Sequence, residues 1–181
     1  MNDPNVQNII HEAQLARKNP VDRQQLRKLK KQLHKLAESG DLLAKEFFLS
    51  CLSDPDPDWR LHGLRNLGFH YSFSPESETC NKIRTLLLED DDSDIRMSAA
   101  SVLGIRSRWL DSALLKSLTS DPDEFVRIVS FESLIQLAGT PIGVAFKASE
   151  KAKKGEIEPT FAEIKRIICE YGIEADSLSL S

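Results

Sequence analysis

The chain has 181 residues, 40% of them hydrophobic, and a formal net charge of −4. That content supports a core without disulfides or metals. The three cysteines, Cys51, Cys80 and Cys169, lie far apart with no CxxC pair and suggest neither a disulfide framework nor a zinc site. Charge is divided unevenly: residues 1–40 hold eight Lys/Arg against four Asp/Glu, net +4, and residues 41–181 hold sixteen against twenty-four, net −8. An acidic body repels phosphate backbones, so nucleic acid is disfavoured as a partner and any such role is confined to the first forty residues. No apolar run approaches the ~20 residues that cross a bilayer, and Met1-Asn-Asp-Pro4 begins no signal sequence, so a cytoplasmic protein is expected.

A first helix is predicted from Asn5 to Lys18, with Val6, Ile9, Ile10 and Leu15 as its apolar positions and Asn19-Pro20 as its break. A second runs from Asp22 to Glu38, with Asp22 as N-cap and Ser39-Gly40 as the stop. Leu26, Leu29, Leu33 and Leu36 form one narrow stripe on it, and Arg23, Arg27, Lys28, Lys30, Lys31 and Lys35 cover the rest. Residues 1–40 therefore read as an N-terminal helical cap with a basic helix. That helix either packs only as a cap, docks an acidic protein, or touches nucleic acid or an anionic membrane; the lack of aromatics in residues 1–40 disfavours single-strand stacking.

Three similar segments follow. Asp54-Pro-Asp-Pro-Asp-Trp-Arg60, Asp90-Asp-Asp-Ser-Asp-Ile-Arg96 and Asp121-Pro-Asp-Glu-Phe-Val-Arg127 each open a helical pattern, with arginines 36 and 31 residues apart. A small residue stands three places after each arginine (Gly63, Ala99, Ser130) and a leucine seven places after (Leu67, Leu103, Leu134). Such periods signal stacked helix pairs, each an A helix, an acidic turn and a B helix. The A helices are predicted at 42–52, 75–89 (capped by Ser74) and 109–118. The B helices are predicted at 57–67, 93–103 and 123–138, with Gly68 and Gly104 ending the first two and the third the longest. Asp56, Asp92 and Asp123, four before each arginine, suit N-caps, and Pro57 suits a first helical position. Arg60, Arg96 and Arg127 recur at one position and can form a ladder to the acidic turn of an adjacent repeat. Residues 41–140 thus hold three repeats. Two helices, 141–154 and 158–171, lack the turn signature and read as a C-terminal cap within 141–172, and 173–181 as a flexible tail.

The pattern Leu-x-Asp-Pro-Asp-Pro-Asp-Trp-Arg-x-x-Gly-x-x-x-Leu-Gly, from Leu52 to Gly68, resembles a HEAT repeat of the short bacterial, phycobilisome-lyase-like type. The third copy departs from it, with Leu118 nine rather than eight residues before its arginine and Ile135 in place of a glycine. The resemblance implies an all-α solenoid of the HEAT/armadillo type with capping helices at both ends, whose B helices line a binding groove. A period of 3.6 then places His62, Arg65, Asn66 and Phe69, then Ser98, Ser101 and Ile105, then Val129, Glu132, Ser133 and Gln136 toward solvent on that face.

Catalytic chemistry has no footing in these residues. His11, His34, His62 and His70 share no HExxH spacing, and His11-Glu12 is unlike the repeated His-Glu pairs of di-iron HEAT hydroxylases. Glu89-Asp90-Asp91-Asp92-Ser93-Asp94 lacks the central glycine and distal glutamate of a calcium loop, and no nucleophile motif or glycine-rich phosphate loop is present. The expectation is a monomeric, non-enzymatic adaptor for a protein partner, with no cofactor and no metal. Two rivals stand beside it: an accessory subunit of a bilin lyase or other protein-modifying enzyme, and DNA binding in the manner of HEAT-like alkylpurine glycosylases.

Overall fold

A computed structural model describes residues 4–19 and 22–174. It contains α1 (Pro4–Lys18), α2 (Arg23–Glu38), α3 (Leu42–Cys51), α4 (Pro57–His70), α5 (Glu78–Glu89), α6 (Ser93–Arg106), α7 (Ser112–Ser120), α8 (Glu124–Leu137), α9 (Val144–Lys153) and α10 (Phe161–Glu170), and no strand among the described residues. The helices fall into two compact units that divide between Ser72 and Phe73. This division places the first repeat with the N-terminal helices and the other two with the C-terminal helices.

In the first unit, α1 packs on α3 and α2 on α4, so the N-terminal pair stacks on the first repeat as one more helix pair. Val6, Ile9, Ala13 and Ala16 make the buried stripe of α1, at helical spacing, while Leu15 is exposed, contrary to expectation. From α2, Leu29, Leu33 and Ala37 are buried. The core between α3 and α4 is aromatic: Trp59 meets Phe47 edge-on at 5.9 Å, and Phe48 meets Phe47 at 5.8 Å. Gly63 is required there, because a Cβ at that position would lie 2.7 Å from both the Phe48 carbonyl oxygen and Cys51 Cβ.

In the second unit, α5 packs on α7 and α6 on α8, and α9 and α10 both pack on α8. Small residues set the spacing. A Cβ on Gly104 would lie 2.6 Å from Ser133 Oγ and 3.0 Å from Ser133 Cα, so α6 and α8 touch nearly backbone to backbone. The α6 helix therefore runs through Gly104 to Arg106 rather than ending there, as α4 runs through Gly68 to His70. All three B helices are 14 residues long, so the third is no longer than the others.

Two A helices start later than the sequence suggests. Ser77, not Ser74, caps α5 by accepting the Cys80 amide, because Ser74 is spent on a turn in which its carbonyl accepts the Ser77 amide and hydroxyl. Asp111 caps α7 by accepting the Ala113 and Leu114 amides, which leaves Trp109 and Leu110 ahead of the helix, Leu110 at φ 62°. The expected break at Pro20 and the tail beyond residue 174 lie outside the described residues.

Each acidic turn is built the same way. Its first aspartate (Asp54, Asp90, Asp121) accepts the amide two residues on, at 2.9–3.0 Å. Its second (Asp56, Asp92, Asp123) caps the following helix. Its arginine (Arg60, Arg96, Arg127) reaches back to donate from Nη1 to the carbonyl of the first aspartate, at 2.8, 2.9 and 2.7 Å. The arginine thus closes its own turn before it does anything else.

In the second unit the arginine then reaches the acidic turn of the next repeat, at its first aspartate. Arg96 grips Asp121 with two parallel bonds, Nε to Oδ2 at 2.9 Å and Nη2 to Oδ1 at 3.1 Å, and both side chains are buried. Asp123 is occupied as a cap. In the first unit Arg17 of α1 supplies the equivalent bond, from Nε to Asp54, while its Nη1 and Nη2 donate to the Ser50 hydroxyl and carbonyl. Among the described residues, Arg127 bonds only to the carbonyls of its own turn, Asp121 and Pro122.

Candidate functional site

Counting from the arginine of each turn brings the three B helices into one register. Nine residues on stand Phe69, Ile105 and Gln136, all exposed, the first two at 58% and 44%. Five residues on, Arg65 is exposed and Ser101 and Glu132 are half-buried. Two residues on, His62 and Val129 are half-buried and Ser98 is buried. Six residues on, Asn66, Val102 and Ser133 are all buried.

The expected solvent-facing set is therefore corrected. Asn66, Ser98 and Ser133 are interior and His62 largely so, while the accessible lane consists of Arg65 and Phe69 in the first unit and, separately, of Ser101, Ile105, Glu132 and Gln136 in the second. The physical reason is angular: the six and nine positions differ by three residues, about 60° around the helix, enough to turn one into a neighbour and leave the other out. Asn66 turns into α2, where its Oδ1 lies 2.9 Å from His34 Nδ1, and Ser133 turns into α6, donating to the Ala100 carbonyl at 2.9 Å.

Phe125, on α8, is also exposed, at the position held by Asp58 and Asp94 in the other two turns. The sequence reading does not single it out, although an aromatic among acidic turn residues is a visible signal.

His62 sits in the aromatic core of the first unit, 5.5 Å from the Phe48 ring and 6.0 Å from the Trp59 ring. Asn66 Nδ2 donates to the His62 carbonyl at 2.8 Å and lies 3.3 Å from its Nδ1, while its Nε2 is buried without a partner. Burial first, then the positive charge of Lys30 and the proximity of His34, push His62 down to about 4. It is thus held neutral and serves the core. His34 and His70 meet edge-on at 4.9 Å.

Neither buried cysteine is poised as a nucleophile. Burial pushes the Cys51 thiol up to about 12 and raises Cys80 as well. Among the described residues no three His, Cys, Asp or Glu side chains converge on a point that could hold a metal. No helix among them is long and apolar enough to cross a membrane.

The exposed face of α2 is the most concentrated charge in the first unit. Arg23, Arg27, Lys28, Lys31 and Lys35 are all exposed. Lys30, by contrast, is turned inward over the Trp59 ring at 5.0 Å, with its Nζ 3.4 Å from the Asp58 carbonyl. In the second unit a cleft of about 530 Å³ is lined by Pro75, Asn81, Arg84, Ser107, Trp109 and Asp111 among others. Its central cation is already engaged, since Arg84 donates to Asp111, Asn81, Ser107 and the Pro75 carbonyl.

Helix pairs stacked A on A and B on B, joined by a capped acidic turn that a recurring arginine closes, define a helical-repeat protein. Residues 46–135, about half the chain, match the family model for HEAT repeats, and the chain belongs to the HEAT-repeat family. Neither a curated protein nor a solved structure matches the chain significantly. HEAT repeats as a class mediate protein–protein interaction.

Proposed function

We propose that the chain is a non-enzymatic adaptor that holds a protein partner through the accessible B-helix lane within each unit: Arg65 and Phe69 in the first, and Ser101, Ile105, Glu132 and Gln136 in the second. The observation that carries this reading is the recurrence of one exposed register position nine residues after each arginine, filled by a large apolar side chain in two of three repeats. Exposed phenylalanine and isoleucine on a rigid helix bury apolar area at little ordering cost, which is how a few residues come to dominate an interface. The adaptor reading is further supported by chemistry already used up: the histidine nearest the lane is a neutral core residue, and the buried thiols are held protonated.

A photo-crosslinking side chain placed at Phe69 or Ile105 tests the proposal in the native host. Each position is expected to trap the same single protein, while exposed positions on A helices, such as Glu46 and Lys82, trap none. A trapped partner that is itself a HEAT-repeat subunit of a modification enzyme would assign the chain to the accessory-subunit role within this reading. Equal trapping at the A-helix positions would defeat the lane as the contact surface.

A further inference from the structure

The exposed face of α2 is a surface that the B-helix lane does not use. Arg23, Arg27, Lys31 and Lys35 follow one another at i, i+4 spacing, Lys28 lies beside them, and no acidic residue occurs between Asp22 and Glu38. All five are exposed, and none takes part in an ion pair or hydrogen bond with another described side chain, whereas Arg17, Lys30, Arg84, Arg96, Lys153 and Arg166 each pair with a carboxylate. The opposite side of the helix is fixed: Leu29, Leu33 and Ala37 are buried and Lys30 is anchored at Trp59 and Asp58. The cations therefore stand on a rigid platform. Arg23 to Lys35 covers about 18 Å of helix.

This arrangement works against the helix that carries it. Like charges at i, i+4 repel, and α2 contains three such steps in succession, Arg23/Arg27, Arg27/Lys31 and Lys31/Lys35. Carboxylates brought alongside at the same spacing would relieve all three. We infer that the exposed face of α2 is a docking surface for an acidic protein segment, a helix bearing carboxylates at i, i+4 spacing along about four turns.

Three observations favour a protein segment over other polyanions. The buried leucine stripe cannot enter a bilayer while α2 stays docked. Five phosphate contacts would leave duplex binding strongly salt-dependent, falling by about two to three powers of ten between ~50 and ~200 mM salt. A nucleic acid extending past that footprint would meet the rest of the same unit, whose residues 41–72 hold three Lys/Arg against five Asp/Glu, net −2, whereas a four-turn acidic helix ends where the cations end.

The test uses the full chain and three labelled probes: a 16-residue alanine-based helical peptide with glutamates at i, i+4, i+8 and i+12, a peptide of the same composition with its glutamates clustered, and a 16-base-pair duplex DNA. Fluorescence anisotropy at low and physiological salt is expected to show binding of the patterned peptide several-fold tighter than the clustered one and tighter than the duplex. Lys31→Glu should weaken that binding about tenfold, and Lys31→Gln by a smaller factor, while the A-helix substitution Lys82→Glu leaves it unchanged. Circular dichroism should show Lys31→Glu to be at least as heat-stable as the native chain, because the substitution removes two repulsive steps. No preference for the patterned peptide, tighter binding of the duplex, or undiminished binding by Lys31→Glu would each overturn the inference.

Discussion

The two units solve the same packing problem with different materials. In the first, α2 meets α4 through large and polar side chains: the His34–Asn66 bond, Lys30 over Trp59, and His62 wedged between aromatic rings. In the second, α6 meets α8 through Gly104, Ala100 and Ser133, with a buried arginine–aspartate pair beside them. Yet the residue six places after the turn arginine, Asn66 or Ser133, makes the polar contact across neighbouring B helices in both. The register belongs to the repeat, and the side-chain size at the contact is free to vary once that register is kept.

The largest way to break the comparison is through the turn arginines. Arg96→Met strands the buried Asp121 carboxylate and is expected to cost about 3–5 kcal/mol. Arg127→Met removes only bonds to two carbonyls of its own turn and should cost about 1 kcal/mol. Urea unfolding midpoints of the two variants check this, and equal losses would show that the Asp121 pair adds nothing to the turn clamp.

Acidity should discriminate the units next. His62 stays neutral in the fold down to about pH 4, but in the unfolded chain it takes up a proton below its ordinary value of 6.5. Its contribution is therefore complete above pH 6.5 and is lost as pH falls from 6.5 toward 4, a loss of about 2 kcal/mol once screening is allowed for. Denaturation at pH 7 and pH 5 should show more than half of this loss in the native chain and a flatter profile in His62→Leu. The same slope in both would assign the acid sensitivity elsewhere.

Gly104→Ala sharpens the contrast from the other side. Alanine gains about 1 kcal/mol in helix propensity, but its Cβ would press on the Ser133 backbone, so a net loss of about 1–2 kcal/mol is expected in a thermal melt. A gain in stability would mean that α6 and α8 separate freely. The smallest effect belongs to α2, where Lys31→Glu should raise stability by about 0.5 kcal/mol at low salt and by less at high salt.

Much of the fold was legible because its determinants are local. Asp22, Asp56, Asp92 and Asp123 announce themselves as caps by preceding helical patterns, and the three arginines fix the period. What failed depended on neighbours. Gly68 and Gly104 look like helix stops until a second helix is packed against the chain, when Gly104 becomes the point of closest approach. His62 and Asn66 look solvent-facing until α2 covers them, a contact between residues about thirty positions apart. The role of Asp54 and Asp121 as acceptors for Arg17 and Arg96 had a signal, an aspartate six before each arginine, but its use required knowing which helix stacks next. The lane itself was half legible, since the positions five and nine after the arginine follow from period alone and the burial of the others does not.

The central claim is that the register position nine after the arginine carries the partner. Tagged native protein, Phe69→Asp, Ile105→Asp and the A-helix control Lys82→Glu, each recovered from the native host, test it most directly. The account predicts one stoichiometric partner bound to the native protein and to Lys82→Glu and lost from both lane variants, with all four proteins equally folded by circular dichroism. Full retention of that partner by Phe69→Asp and Ile105→Asp would contradict it.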